Sequence, residues 1–184
     1  MTLDVLDRPE IAADEAVSTV RQKPAKLGII DCDCHPTVRS INDLKPYLSK
    51  RWWERIEMLG LRPRHGFVNG DPYPKAAPRA ARRDAWTPEG YQPGSDLAFM
   101  REHYLEPYNI ECAILSPLKP TGQGDQNPEF TNAMCMAVND WQLDVWVHQD
   151  KRLKASILVS YEDAPAAVAE IDRRAGDPGF AQIL

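Results

Sequence analysis

The chain contains 184 residues and carries a net charge of −5 at pH 7. This acidic balance argues against nucleic acid or an anionic membrane surface as a partner, because both bind clustered Lys and Arg, and it leaves a small molecule as the expected substrate. The sequence has no apolar run near the ~20 residues that span a bilayer, and its acidic N-terminus does not resemble a signal peptide. A cytoplasmic protein is therefore expected.

The chain divides into a short extension and one domain. Residues 1–25 are acidic and show no sustained apolar period, which predicts a flexible N-terminal extension. The fold is expected to occupy residues 26–184. The four cysteines form no C-x-x-C pair, so they are expected to be reduced and mostly buried, without a disulfide framework or a zinc ribbon; they are Cys32, Cys34, Cys112 and Cys135.

The first predicted strand ends in polar residues. The apolar run Leu27–Ile30 leads into the segment 31–35 and breaks at Pro36, as a buried strand does at its carboxyl end. A segment at about 61–95 follows, with six prolines, four glycines and few large aliphatic side chains. This composition predicts a Pro/Gly-rich irregular insertion between the first and second strands. Because it leaves from the end of the first strand, it is expected to form a lid over a site there.

Helices and strands alternate after the insertion. Capping side chains precede apolar helical faces in three places, at Ser95-Asp96, Asn127-Pro128-Glu129 and Asp163-Ala164-Pro165. Strands are predicted at Ile110–Leu115, Lys154–Val159 and Phe180–Leu184. A parallel strand needs a crossover to reach its neighbour, so this alternation predicts an α/β fold. Periodicity alone fits both an open doubly wound sheet and a closed (β/α)8 barrel.

Three side chains that can bind a metal lie at the end of the first predicted strand. Strand alternation would place Asp31, Asp33 and His35 on one face and Cys32 and Cys34 on the other. Nitrogen and oxygen donors suit zinc, manganese or iron(II), and α/β folds place their sites at this end of the strands. The competing interpretation is that the aspartates cap backbone amides and the histidine is packed at a strand end. Two ligands do not complete a site, so further ligands must come from other strands.

The segment Ile29–Pro36 resembles the first-strand motif of the amidohydrolase-related family that includes aminocarboxymuconate semialdehyde decarboxylase. In that family an H-x-H, D-x-H or E-x-H pair supplies two metal ligands, and the D-x-H form occurs here as Asp33 and His35. The segment Asp96–Pro117 is similar to the family's helix and second strand, and Asn139–Trp141 followed by Arg152–Ile157 resembles its next helix and third strand. The resemblance covers roughly the whole predicted domain.

This resemblance implies the N-terminal half of a (β/α)8 TIM barrel with one divalent metal ion, zinc first and manganese or iron as alternatives, bound by Asp33 and His35. Asp31 is expected to orient a ligand without binding the ion. The family's remaining ligands and its catalytic residues would lie beyond Leu184, and a complete barrel needs roughly 250 residues, so a truncated chain is expected. The complete protein is expected to be a homo-oligomer, with a complementary half-barrel chain as the alternative partner.

The implied activity is that of a metal-dependent hydrolase or a non-oxidative decarboxylase that acts on a small carboxylate or cyclic substrate. One alternative is a haloacid dehalogenase-type phosphatase with Mg²⁺, in which Asp31 is the nucleophile and Asp33 the acid. Its motif usually continues with a small residue and a threonine, which this sequence lacks at 34–36. The other alternative is a non-catalytic half-barrel that needs a partner chain.

A polar group follows the second predicted strand on the same side as the D-x-H pair. Gln123, Gln126 and Asn127 are therefore expected to border the substrate pocket. The alternative is a solvated turn in which Asn127 caps the following helix.

Overall fold

A parallel sheet organises the structure. The computed structural model describes residues 26–61, 82–118, 120–123, 125 and 127–184. Within these residues the strands β1 (Ile29–Cys34), β2 (Ile110–Leu115), β3 (Leu153–Ile157) and β4 (Phe180–Ile183) form one four-stranded sheet in the order β1-β2-β3-β4. Every neighbouring pair is parallel. The predicted α/β class is confirmed.

Helices provide the crossovers between these strands. They are α1 (Lys50–Leu59), α2 (Leu97–Met100, continued by a π-helical turn at Arg101–Leu105), α3 (Pro128–Val145) and α4 (Ala164–Arg174), with 3-10 helices at Ile41–Tyr47, Arg83–Ala85 and Val147–Gln149. The predicted caps are present: Asp96, Asn127 and Asp163 each accept a hydrogen bond from a backbone N–H in the first turn. None of the helices in the described ranges is long and apolar enough to cross a membrane.

Two helical segments between β1 and the insertion were not predicted. The 3-10 helix Ile41–Tyr47 begins with a capping box, in which the Ser40 hydroxyl accepts from the Asn42 N–H and the Asp43 carboxylate accepts from the Ser40 N–H. In α1, Trp53 and Ile56 lie three positions apart and are both buried. The capping-box residues and the three-residue spacing of the apolar side chains are both visible in the sequence.

The core lies between the sheet and α3. The three- and four-residue spacing of apolar side chains after Asn127 predicts one apolar face for α3, at Phe130, Met134, Ala137, Val138, Trp141 and Val145. All of these side chains are buried except Val145, which is 40% exposed. A polar clamp joins this helix to the end of β3, because Asn139 accepts from the Leu158 N–H at 2.8 Å and donates to the Leu158 carbonyl at 2.9 Å. The helix therefore has a fixed register against the sheet.

Both outer strands expose apolar side chains. Ile29 and Ile30 of β1 are 43% and 65% exposed, and Ile183 of β4 is 53% exposed. The expectation that β1 is a buried strand is therefore wrong for its first half. The expectation of mostly buried cysteines is wrong for Cys32, which is exposed, and holds for Cys34 and Cys135. The reason is the same in both cases: among the described residues β1 pairs with a neighbour on one side only.

Candidate metal centre

A β-bulge interrupts β1 just before its carboxyl end. Asp31 is in register with Ala113 and Cys34 with Leu115, so three steps along β1 match two steps along β2. Such bulges break the alternation of side chains and change the direction of a side chain near the end of a strand. The simple alternation expected for residues 31–35 therefore does not hold across the bulge.

The bulge separates Asp31 from the other two predicted site residues. Asp31 Oδ2 accepts a hydrogen bond of 2.5 Å from the Tyr104 hydroxyl, and Cys34 Sγ lies 3.9 Å from Met100 Sδ. Tyr104 and Met100 both lie on the helical segment 97–105, so Asp31 and Cys34 face the same helix. The expectation that Asp31 shares one face with Asp33 and His35, opposite Cys34, is wrong because it assumed an unbroken strand.

A hydrogen bond to a backbone carbonyl orients His35. Its Nδ1 lies 2.7 Å from the carbonyl oxygen of Ser116, the residue that follows β2. A carbonyl oxygen can only accept, so Nδ1 carries the hydrogen, and in the neutral ring the lone pair is on Nε2. The Ser116 N–H in turn donates to the Cys34 carbonyl at 2.7 Å. The ends of β1 and β2 are thus tied together in both directions.

Asp33 and His35 converge. Asp33 Oδ2 lies 3.6 Å from His35 Nε2, and the two side chains are 77% and 40% exposed. Two ligands about 2.0–2.2 Å from one tetrahedral ion lie roughly 3.3–3.6 Å apart, so the pair has a spacing that suits a shared ion. Within the ranges that the structure describes, no group of three or more His, Cys, Asp and Glu side chains is placed to hold a metal ion. These two residues therefore fit one part of a site.

The neighbouring titratable side chains of Cys34 and Tyr104 do not compete with Asp33 and His35 as metal ligands. Burial, together with the charges of Asp31 and Asp33, raises the pKa of the Cys34 thiol to about 12, so Cys34 stays protonated. Burial also raises the pKa of Tyr104, with the hydrogen bond to Asp31 adding to the effect. Tyr104 is therefore a hydrogen-bond donor, and Asp31 uses both of its oxygens as acceptors, the second from the Asp33 N–H at 3.0 Å.

The last turn of the predicted insertion packs against the backbone of His35. Gly94 has φ +77°, and a Cβ there would lie 2.2 Å from the His35 carbonyl oxygen. The Gly94 carbonyl accepts from the Thr37 N–H at 2.8 Å. Residues 62–81 lie outside the described residues, so the insertion as a whole and its role as a lid stay predictions.

The polar group after β2 has structural contacts at two of its three positions. Gln123 Nε2 donates to the carbonyl oxygens of Val159 at 2.9 Å and Leu184 at 3.3 Å. Asn127 Oδ1 accepts from the Phe130 N–H at 3.0 Å, which is the helix cap considered as the alternative. Gln126 lies outside the described residues. A substrate contact for Gln126 and Asn127 stays a prediction.

A comparison with protein families identifies the family of this chain. Residues 30–184 match the family model described as amidohydrolase, a span that covers the sheet from Ile30 onward and includes Asp33 and His35. The chain belongs to the amidohydrolase family. Amidohydrolases generally use a divalent metal ion, and the predicted family resemblance is confirmed.

A solved amidohydrolase-like structure has a similar fold. The chain is similar to 2,6-dihydroxybenzoate decarboxylase from Rhizobium with a TM-score of 0.50 and 15% sequence identity. The match covers 85% of this chain and 37% of the decarboxylase chain, so the chain spans little more than a third of that protein's length. The four parallel strands with their helices are consistent with part of a (β/α)8 barrel, and the predicted fold class is confirmed. No curated protein matches the chain.

Tyr104 and Ser116, which make hydrogen bonds to Asp31 and His35, were not predicted as functional residues. The sequence pattern assigns no role to the Tyr104 hydroxyl, and Ser116 acts through its backbone carbonyl, which no side-chain pattern can reveal. The signal for Ser116 is positional, because the residue after β2 lies beside the residue after β1 in a parallel pair. For Tyr104 the only signal is the position of a phenol near the end of the helical segment that precedes β2.

Proposed function

We propose that Asp33 and His35 are the first two ligands of a divalent metal ion in a hydrolase or non-oxidative decarboxylase that acts on a small carboxylate or cyclic substrate. The observation that carries this proposal is the hydrogen bond from His35 Nδ1 to the Ser116 carbonyl. Metal-binding histidines commonly donate a hydrogen bond from their second ring nitrogen in this way. This bond fixes the tautomer and directs the free nitrogen to the ion. Here the free nitrogen faces Asp33.

The pair supplies one carboxylate oxygen and one imidazole nitrogen. This donor set suits zinc, with manganese and iron(II) as alternatives. When bound, such an ion polarises a substrate oxygen or lowers the pKa of water. Asp33 and His35 hold two positions of a centre that needs at least one more protein ligand, which we propose comes from a later strand of the barrel. We further propose that the complete protein is a cytoplasmic homo-oligomer.

Hydrolysis and decarboxylation are both kept as candidate reactions. The similar structure is that of a decarboxylase, which supports testing decarboxylation of hydroxylated aromatic acids beside hydrolysis of cyclic amides and esters. At 15% identity the likeness concerns the fold, so it does not choose between the two reactions. Turnover of 2,6-dihydroxybenzoate is the first assay because this substrate is named for the similar protein.

The phosphatase alternative has less support. It requires Asp31 to attack a phosphoryl group, whereas Asp31 accepts hydrogen bonds on both carboxylate oxygens, from Tyr104 and from the Asp33 N–H. Membership of the amidohydrolase family also favours the metal-dependent reactions. The non-catalytic half-barrel would be favoured by a full-length protein that binds the ion, assembles with a partner chain and turns over no substrate.

The test compares two pairs of variants in the full-length protein. Asp33→Asn and His35→Ala should each lose most of the bound metal, because each removes one of about four ligands. The matched controls are Asp144→Asn and His148→Ala, since His148 Nδ1 lies 3.7 Å from Asp144 Oδ1 in an exposed pair on the surface of the helical layer. Metal content is measured by elemental analysis beside turnover. Full occupancy in both Asp33 and His35 variants would contradict the proposal.

A further inference from the structure

A chain of two hydrogen bonds links the helical layer to Asp33. The Tyr104 hydroxyl donates to Asp31 Oδ2 at 2.5 Å, and the Asp33 N–H donates to Asp31 Oδ1 at 3.0 Å. One carboxylate therefore connects a helix to the backbone of the proposed metal ligand. We infer that Tyr104 is a positioning residue, which sets the direction of the Asp33 side chain through Asp31. This inference rests on the proposed function.

Asp33 needs such a support because little else holds it. Its side chain is 77% exposed, so packing does not fix its rotamer. It also lies within the bulge, between the registered positions Asp31 and Cys34, where the regular ladder with β2 is interrupted. The contact from its N–H to Asp31 fixes the backbone of the bulge, and the backbone in turn sets where the carboxylate can reach.

The helix that carries Tyr104 is itself anchored. Tyr104 lies in the π-helical turn Arg101–Leu105, and such turns are often found at functional sites. At the start of the turn Arg101 Nε donates to Asp150 Oδ2 at 2.8 Å, next to β3, and at its end Leu105 is fully buried. The phenol is therefore presented by a segment that is fixed at both ends.

Tyr104 acts as a hydrogen-bond donor near neutral pH. Burial and the neighbouring Asp31 carboxylate raise the pKa of its hydroxyl, so the phenolate is not formed near neutral pH. The Asp31 side chain then accepts from an O–H donor on one oxygen and from an N–H donor on the other. Removal of the hydroxyl leaves Asp31 free to rotate away from Asp33.

The test is the affinity of the full-length protein for Zn²⁺, measured by competition with a chromophoric chelator. Tyr104→Phe should weaken the affinity about tenfold, the lower end of the range for residues that orient metal ligands. Tyr108→Phe is the matched control, because Tyr108 lies beside Tyr104 with ring centroids 5.8 Å apart and is 50% exposed. It should leave the affinity unchanged.

A double variant separates positioning from packing. If Tyr104 acts through Asp31, the double variant Asp31→Ala with Tyr104→Phe should bind Zn²⁺ no more weakly than Asp31→Ala alone. Additive losses, an unchanged affinity in Tyr104→Phe, or a loss confined to the Tm of the metal-free protein would each overturn the inference. Loss of Zn²⁺ binding in the Asp33 and His35 variants with wild-type affinity in Tyr104→Phe would refute the positioning role alone. Retained binding in all of them would refute the metal site itself.

Discussion

Arg55 and Asp125 form an ion pair of 2.9 Å that joins α1 to the loop before α3. The two side chains are only 16% and 5% exposed, and the guanidinium lies 4.0 Å from the centre of the Phe130 ring. Arg55→Met should lower the free energy of unfolding by about 3–5 kcal/mol, because it leaves a buried carboxylate without its cationic partner. Adding Asp125→Asn should recover part of this loss. Chemical denaturation measures both.

The control for this prediction is on the same helix. Arg51 and Glu129 form an ion pair of 3.0 Å, but their side chains are 72% and 69% exposed. Arg51→Met should cost less than about 1 kcal/mol, since solvent screens an exposed pair. Equal losses of unfolding free energy in the two arginine variants would show that burial of the Arg55 pair does not increase its contribution to stability.

Asp150 should make the fold sensitive to acid. Hydrogen bonds from Arg152, and then from Arg101, hold the pKa of Asp150 well below its usual range. A lowered carboxyl pKa stabilises the fold above the unfolded value of about 4, and this stabilisation is lost as the pH falls below it. Asp150→Asn should therefore cost about 2–3 kcal/mol at pH 7 and progressively less between pH 4 and pH 2. Urea denaturation along this pH series measures the free energy of unfolding of the wild type and of Asp150→Asn. A difference between the two that does not narrow as the pH falls would contradict the prediction.

Gly94 should be required for the geometry of His35. Gly94→Ala adds a Cβ that would lie 2.2 Å from the His35 carbonyl oxygen, at φ +77°. Gly90→Ala is the control, because Gly90 has φ +84° but nothing within 4 Å of the added atom. Both variants should lose about 1 kcal/mol or more of stability from backbone strain, and only Gly94→Ala should also weaken Zn²⁺ binding. Chelator competition distinguishes them, and equal affinities would exclude a link between the turn and the imidazole.

Gln126 and Asn127 are neighbours with opposite expected phenotypes. Asn127 caps α3, so Asn127→Ala should lower stability by about 1 kcal/mol. Gln126→Ala should instead lower kcat/KM without changing the Tm, if it borders the substrate pocket. Thermal melts and steady-state kinetics on the full-length protein measure both effects. A loss of Tm without a kinetic effect in Gln126→Ala would leave that residue a structural role only.

Much of the fold is predictable because its signals are local. The strand Ile110–Leu115 has the predicted bounds, and α3 begins at Pro128 after its asparagine cap. The strands β3 and β4 differ from the predicted ranges by one or two residues at their ends. In each case a short run of apolar residues and an adjacent cap or turn determine the element.

The parts that are not predictable depend on partners distant in the chain. Nothing around Asp31 indicates that β1 will slip by one residue against β2, since a bulge reflects the fit of two strands about 80 positions apart. Similarly, the hydroxyl of Tyr104 reaches Asp31 across 73 positions. Alternation therefore brings Asp33 and His35 together as expected but misplaces Asp31.

The order of the sheet determines which strands the orientation of His35 depends on. Each of β2, β3 and β4 pairs with the strand that precedes it in the chain. The hydrogen bond between His35 and Ser116 involves only residues that follow β1 and β2. Because β3 and β4 lie farther along the sheet, they take no part in this contact. The orientation of the imidazole therefore rests on the first two strands.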